Sequence, residues 1–262
     1  MPRATPPKRH RGTPEITVYG RRAVLEALAA PSVTVTELRV AKETPADFRK
    51  ELRASASEDL EIDAVPLTDV NQLSRDKRND QGVAARIRLG NIVDLEDVIS
   101  MGKGRSARTP TRVLALDGLT NPQNIGMTVR SAAAAGFDAI LWPAEGVPWI
   151  NGLIIKSSAS TVYGIPIAPC ASLEETLPEL KAHGFSLCAL DMSGPTSVFA
   201  YDPPHRCVAV VGSETAGIAD STRALADDLL AIPISERVES LNAAVAAGIL
   251  CFAMTNARPL AT

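Results

Sequence analysis

VLALDGLTNPQNIGMTVRSAAAAG, residues 113–136, decides how the fold is read. Its first five residues form an apolar run closed by Asp117, the pattern of a strand buried on both faces. A polar loop follows, and residues 125–135 have the composition of a helix that stops at Gly136. The same alternation continues downstream. AILW (139–142), FSLCAL (185–190), CVAVV (207–211) and LLAI (229–232) read as strands, 173–183 as a helix, and a last helix starts near Leu241. Apolar strands separated by helices predict an α/β domain, residues 113–262, built on a mostly parallel sheet covered by helices.

Upstream the pattern changes. Residues 1–13 are rich in Pro and Arg and are expected to be a disordered basic tail. Residues 14–98 read as a small α/β domain, with strands at ITVYG, 35–41, IDAVPL and 83–89, and helices at 21–29 and 46–56. Residues 99–112 end in GKGRSARTPTR and are expected to be a basic linker.

Composition narrows the class. The 262 residues are 45% hydrophobic and 22% charged, which fits a soluble globular protein. No apolar run approaches the roughly 20 residues that span a bilayer. The basic start has no apolar segment behind it, so it is not a secretory signal. Cys170, Cys188, Cys207 and Cys251 are scattered without a CxxC pair. They read as free thiols in a reducing cytoplasm, with no metal site expected. The formal net charge is −3, yet Arg3, Lys8, Arg9 and Arg11 share residues 1–12 with no acid. Lys103, Arg105, Arg108 and Arg112 do the same in 101–112. Such segments are either solvated linkers or contacts for nucleic acid.

In a parallel sheet, ligands gather beyond the carboxyl ends of the strands, and three loops there are rich in Gly and small polar residues. The first sets Asn121, Gln123 and Asn124 at a helix entrance, with Arg130 one to two turns inside; alone, these are a cap and a surface charge. The second is GSETAGIAD, 212–220. Gly212 and Gly217 allow close backbone approach, and Glu214 suits a positively charged ligand better than a phosphate. It lacks the endings of a P-loop or a dinucleotide fingerprint. The third, 232–252, has Ser240 as expected N-cap and Leu241, Val245, Ile249 and Phe252 on one helical face. Its alanines and Gly248 allow close packing, either in the core or across a subunit interface.

NPQNIGMTVRSAAAAGF, VVGSETAGI and IPISERVESLNAAVAAGI resemble, in order, the three motifs of the SpoU (TrmH-like) RNA ribose methyltransferases of the SPOUT superfamily, and cover most of 113–254. YGRRAVLEAL and DQGVAARI resemble that family's substrate-binding domain, a small ribosomal-protein fold. The resemblance implies a trefoil knot at the C-terminal end of the sheet, a homodimer through the flanking helices, and S-adenosylmethionine bound within the knot. Gly212, Gly217, Ile232 and Leu241 would then hold the cofactor. Asn124, Arg130, Glu214, Ser240 and Asn242 would line the reaction site, Arg130 reaching it from the partner subunit. The chain departs from many relatives at Ser235, Glu236 and Arg237, where they carry Gly.

The implied reaction is methyl transfer to a ribose 2′-hydroxyl, with 23S ribosomal RNA ahead of transfer RNA as the target. His10, His183 and His205 lie outside the three loops, so no histidine is placed to act as base. Two roles stay open for Arg130. One is activation of the hydroxyl, which a normally protonated guanidinium performs only in a strongly perturbed site. The other is fixing the ribose through a nearby phosphate. Arg9, Arg11, Lys103, Arg105 and Arg108 are the expected RNA contacts. The alternatives are a transfer-RNA 2′-O-methyltransferase, a base methyltransferase, and a catalytically silent RNA-binding protein of ribosome assembly.

Overall fold

The structure is a computed structural model, and it describes residues 15–103 and 110–255. The expected tail and positions 104–109 of the linker lie outside the described residues. Two compact units divide at Gly90 and Asn91.

The first unit runs β1 (Ile16–Tyr19), α1 (Arg21–Ala29), β2 (Val33–Ala41), α2 (Ala46–Ser55), β3 (Asp63–Val65), α3 (Leu67–Ser74) and β4 (Val83–Leu89). Its sheet has the order β1-β4-β2-β3. β4 is antiparallel to β1 and β2, while β3 lies parallel to β2. Along β4, Ile87 and Leu89 turn inward between exposed Arg86 and Arg88, the period of a sheet with one dry face. The short polar segment that forms α3 gives no periodic signal, yet it buries Val70 and Leu73.

The second unit holds α4 (Leu95–Ser100), β5 (Thr111–Leu116), α5 (Pro122–Ala134), β6 (Ala139–Pro143), α6 (Gly152–Ser157), β7 (Ile167–Cys170) and α7 (Leu173–Ala182). It continues with β8 (Ser186–Leu190), β9 (Thr196–Ser197), β10 (Arg206–Val211), α8 (Asp220–Leu225), β11 (Asp228–Ala231) and α9 (Ala243–Ala253). Its seven strands lie in the order β7-β6-β5-β10-β8-β11-β9, and every pairing is parallel. All six residues of β5 are buried. Each buried Val, Leu or Ile there contributes about 1.5–3 kcal/mol relative to exposure. From β5 the chain works outward to β7, then returns to the far side of β10. The switch in direction therefore falls between β5 and β10, where this class of sheet opens a crevice.

Small residues set how closely the helices lie. A side chain at Gly126 of α5 would overlap Ser157 and the Ile154 carbonyl of α6. Ala132 of α5 and Ala247 of α9 are fully buried, and Gly248 of α9 faces Ser131 of α5. The alanine-rich face of α9 is thus used within the chain, whereas Val245 and Phe252 remain about half exposed.

Three expectations need correction, and one strand was not anticipated. Residues 91–98, read as the end of the first domain, belong to the second unit. There Val98 and Ile99 are buried with Val113 and Leu177, behind a capping box formed by Asp94 and Asp97. Arg112 is not a linker charge; it is buried in β5 and donates to the carbonyls of Pro203 (3.2 Å), Pro204 (2.6 Å) and His205 (3.2 Å). β7 escapes the apolar-run criterion because its sequence, IAPC, holds Pro169. The strand stands at the sheet edge, where a missing N–H is tolerated. Ser240 is not the cap of the last helix, whose N-cap is Asn242.

Replacing Arg112 by Leu is expected to lower the unfolding free energy by about 3 kcal/mol, because charge-assisted hydrogen bonds are lost and buried carbonyls are stranded. Arg112→Lys should recover only part of this, since one ammonium cannot span three carbonyls. Urea unfolding followed by circular dichroism measures both.

Candidate active site

The segments after β5, β8, β10 and β11 gather at the carboxyl end of the sheet. After β10 the chain folds at once into the turn 213–217, closed by Ser213 N–H to the Gly217 carbonyl (2.9 Å) and Gly217 N–H to the Ser213 carbonyl (3.0 Å). A Cβ on Gly212 would overlap the backbone of Gly217, and Gly217 itself has φ +68°. Both positions require glycine. The Asp117 carboxylate at the end of β5 accepts from the Ala219 N–H at 2.8 Å and ties this loop to the neighbouring strand.

The turn directs Glu214 to the start of α9. Its Oε1 accepts from the Ala243 N–H at 3.1 Å and closely from the Asn242 side-chain amide. A carboxylate at this point also meets the positive end of the helix dipole. Asn242 Oδ1 accepts from the N–H groups of Ala244 (3.0 Å) and Val245 (3.3 Å), and its Nδ2 donates to Asn124 Oδ1 at 3.1 Å. Asn124 is free for this contact because Asn121 caps α5, accepting from the Gln123 N–H at 2.9 Å. Asn124 is buried in the first turn of α5. Three loops far apart in sequence therefore share one hydrogen-bonded cluster.

Beside it lies a cavity of about 280 Å³, whose wall includes Gly212, Glu214, Gly217, Ile232, Ser240 and Leu241. That volume is at the small end for ligand sites, which run from about 300 to 1,000 Å³. Leu190, Asp191, Met192 and Arg223 also line the wall and were not anticipated. Asp191 Oδ1 accepts from the Ser193 N–H (2.8 Å) and hydroxyl (2.6 Å), and Oδ2 pairs with Arg223. Burial pushes the Asp191 carboxyl up, but these donors outweigh it and hold it below the usual carboxylate range. LDMSG, 190–194, did carry a signal: an acid and a glycine just after a strand, as at Asp117 and Gly118. Arg223 carried none.

Arg130 stands apart. It is exposed on α5, does not line the cavity, and has no hydrogen bond or ion pair among the described residues. Ser235, Glu236 and Arg237 form an exposed turn away from the cavity wall. Lys103 is exposed, while Arg9, Arg11, Arg105 and Arg108 lie outside the described residues.

Residues 111–252 match the SpoU rRNA Methylase family. The chain belongs to that family.

Residues 17–91 match a second family, described as RNA 2′-O ribose methyltransferase substrate binding. A Mycobacterium avium protein named as an uncharacterized tRNA/rRNA methyltransferase is 33% identical over 236 residues, 89% of this chain and 75% of that protein. One from Mycobacterium bovis is 33% identical over 244 residues, 92% and 74% of the two chains. The fold of this SpoU family member matches that of the SpoU methyltransferase AviRb from Streptomyces viridochromogenes, solved with its cofactor AdoMet. The TM-score is 0.77 at 24% identity, covering 93% and 90% of the two chains. An AdoMet-bound rRNA methyltransferase from Sinorhizobium meliloti gives a TM-score of 0.74 at 23% identity, covering 93% and 87%.

Asn242→Ala is expected to cost about 1–2 kcal/mol through loss of the helix cap. Asn242→Asp keeps a capping oxygen but opposes two carboxylates. Its loss should be larger at neutral pH and relieved on acidification, when one carboxylate takes a proton. Urea unfolding at two pH values tests the pair.

Proposed function

We propose that this SpoU family RNA methyltransferase transfers the methyl group of S-adenosylmethionine to a ribose 2′-hydroxyl of structured RNA, with 23S ribosomal RNA ahead of transfer RNA. The observation that carries the reading is the convergence of Asn124, Glu214 and Asn242 beside the cavity walled by Gly212, Ile232 and Leu241. The match of 17–91 to a 2′-O ribose methyltransferase substrate-binding family supports the ribose as acceptor, and the appended RNA-binding unit favours a large structured target.

The cavity fits the cofactor in kind. Apolar side chains of Leu190, Ile232 and Leu241 offer a surface for a flat base, and the Glu214 carboxylate offers a partner for positive charge. S-adenosylmethionine supplies a methyl group on a sulfonium, whose thioether is already a good leaving group. What remains for the protein is to align a weakly acidic hydroxyl and let its proton pass to water, since no histidine lines the cavity. Ser240 and the Asn242 amide stand where they can orient that hydroxyl, and Glu214 fixes the Asn242 amide. Arg130, unpartnered on α5, holds the adjoining phosphate and so positions the ribose, a contribution of several kcal/mol (about 7–11 for full alignment).

In this reading the chain works as a homodimer through its C-terminal unit. The half-exposed Met127 of α5 and Val245 and Phe252 of α9 are covered by the partner, and Arg130 serves the partner's site. The trefoil knot belongs to the same proposal. β8 lies between β10 and β11, and Gly194 passes so close to β11 that a Cβ there would overlap the backbone of Leu229 and Leu230. No helix among the described residues is long and apolar enough to cross a membrane, and a cytoplasmic location is proposed with the rest. The basic segments with Arg9, Arg11, Lys103, Arg105 and Arg108 add RNA contacts.

Mapping 2′-O-methylation across the RNA of cells with and without the gene should show one site lost, in 23S ribosomal RNA; no lost site would refute the reading. Arg130→Ala is expected to lower turnover by about a hundredfold or more while calorimetry finds cofactor affinity within about twofold. Near-normal turnover, or loss of cofactor binding, would remove Arg130 from its role.

A further inference from the structure

The loop between α3 and β4 in the first unit is held with unusual care for a surface connection. Arg75 (φ 54°) and Gln81 (φ 52°) bracket it, two of the four non-glycine residues in the left-handed region among those described. Such backbone costs about 1–3 kcal/mol per residue and persists only where surrounding contacts enforce it. Here they do. Ser74 Oγ donates to Asp80 Oδ2 at 2.9 Å, and Asp80 Oδ1 accepts from the Gly82 N–H at 3.0 Å. Asp76 accepts from the Tyr19 hydroxyl at 3.1 Å, from the Asn79 amide at 2.9 Å and from the Arg78 N–H at 3.3 Å. Gln81 Oε1 accepts from the Arg21 N–H at 3.0 Å, fastening the far end of the loop to α1.

The effect on charge is one-sided. Both acids of the loop are occupied by its own donors and by Tyr19. Hydrogen bonds, foremost from Asn79, hold the Asp76 carboxyl below the usual range against the opposing effect of burial. The three cations Arg75, Lys77 and Arg78 are exposed, with no side-chain hydrogen bond or ion pair among the described residues. Elsewhere in this unit Arg22, Arg39, Arg86 and Arg88 each pair with a carboxylate. The exposed Lys42, Arg49, Lys50 and Arg53 have no ion pair among the described residues but do not share one braced loop. The run SRDKRND, with three cations and two acids, therefore turns its carboxylates to its own donors and presents Arg75, Lys77 and Arg78 to solvent without an ion pair, on a backbone held in place. A loop whose backbone is already held loses little main-chain freedom on binding, which favours an extended polyanion over a passing counterion.

We propose that this loop is a phosphate-binding surface for the RNA substrate, with Arg75, Lys77 and Arg78 taking backbone phosphates. The proposal rests on the RNA-methyltransferase reading. Contacts of this kind set the register and strength of binding without reading sequence, so they govern affinity and its salt dependence and leave the choice of nucleotide to the rest of the site.

The test uses the full chain and a 23S ribosomal RNA transcript, titrated at several potassium chloride concentrations. In the variant carrying Arg75→Gln, Lys77→Gln and Arg78→Gln, affinity at about 0.1 M salt should fall at least about tenfold. The slope of log affinity against log salt should shrink by about 2, at about 0.7–0.9 per neutralised phosphate. Cofactor affinity and melting temperature should not move. A second variant with only Lys77→Gln and Arg78→Gln leaves the left-handed Arg75 in place and should show about two thirds of the slope change. If the parent binds the transcript with strong salt dependence and both variants match it, the loop proposal is overturned while the RNA reading stands. If the parent shows no salt-dependent binding to 23S or transfer RNA transcripts, both fall together.

Discussion

At the end of β10 the backbone of Gly217 occupies the space that a side chain at residue 212 would need. That approach lets the strand reverse direction immediately, and much of the site follows from it. The reversal closes the turn 213–217, the turn carries Glu214 toward α9, and the carboxylate meets Asn242 and the Ala243 N–H. Asn242 then caps α9 and holds Asn124 of α5. A bulkier residue at 212 would force the turn outward and detach the acid from the helix. The wide, dry sheet beneath supplies most of the stability, but it would accept many different loops. The steric demand at one glycine selects this one.

α5 and α9 each show two faces to their surroundings. Inward they are built of Ala, Gly and Ser, which bring the backbones together and leave little room to enlarge a side chain. Outward they carry Met127, Val245 and Phe252. Core packing thus takes one side of α9, and the apolar side chains of the opposite side stay about half exposed.

Much of this was legible in the chain itself, for definite reasons. β5, β6, β8, β10 and β11 are covered on both faces or nearly so, and therefore read as unbroken apolar runs. β7 did not, because Pro169 interrupts it and only its edge position makes that acceptable. Asn124 and Glu214 stood out because polar residues in Gly-rich loops collect where strands end, whereas Asn242 was indicated only by the resemblance to the SpoU motifs. The exchange of Ser240 for Asn242 as cap is a two-residue shift between neighbouring capping types, decided by the contact with Glu214. Arg112 was misread because its neighbours are linker-like, while its partners lie some ninety residues away, where no local pattern reaches. Arg223 was missed for the same reason, since its carboxylate partner Asp191 lies on a distant strand end. The α3–β4 loop hid for the opposite reason. Its acids and bases nearly balance when counted, three cations to two acids, and only their hydrogen bonds reveal which lack a partner.

Asn242 is at once a member of the site and the residue that starts α9, and Glu214 and Asn124 are bonded through it. A lineage released from catalysis would still need these three side chains to keep its last helix in place. Arg130 has no such structural duty among the described residues, so it is the position free to drift first. Under the proposed function, Arg130 is therefore a better marker of a working enzyme than the cluster that gives the site its shape.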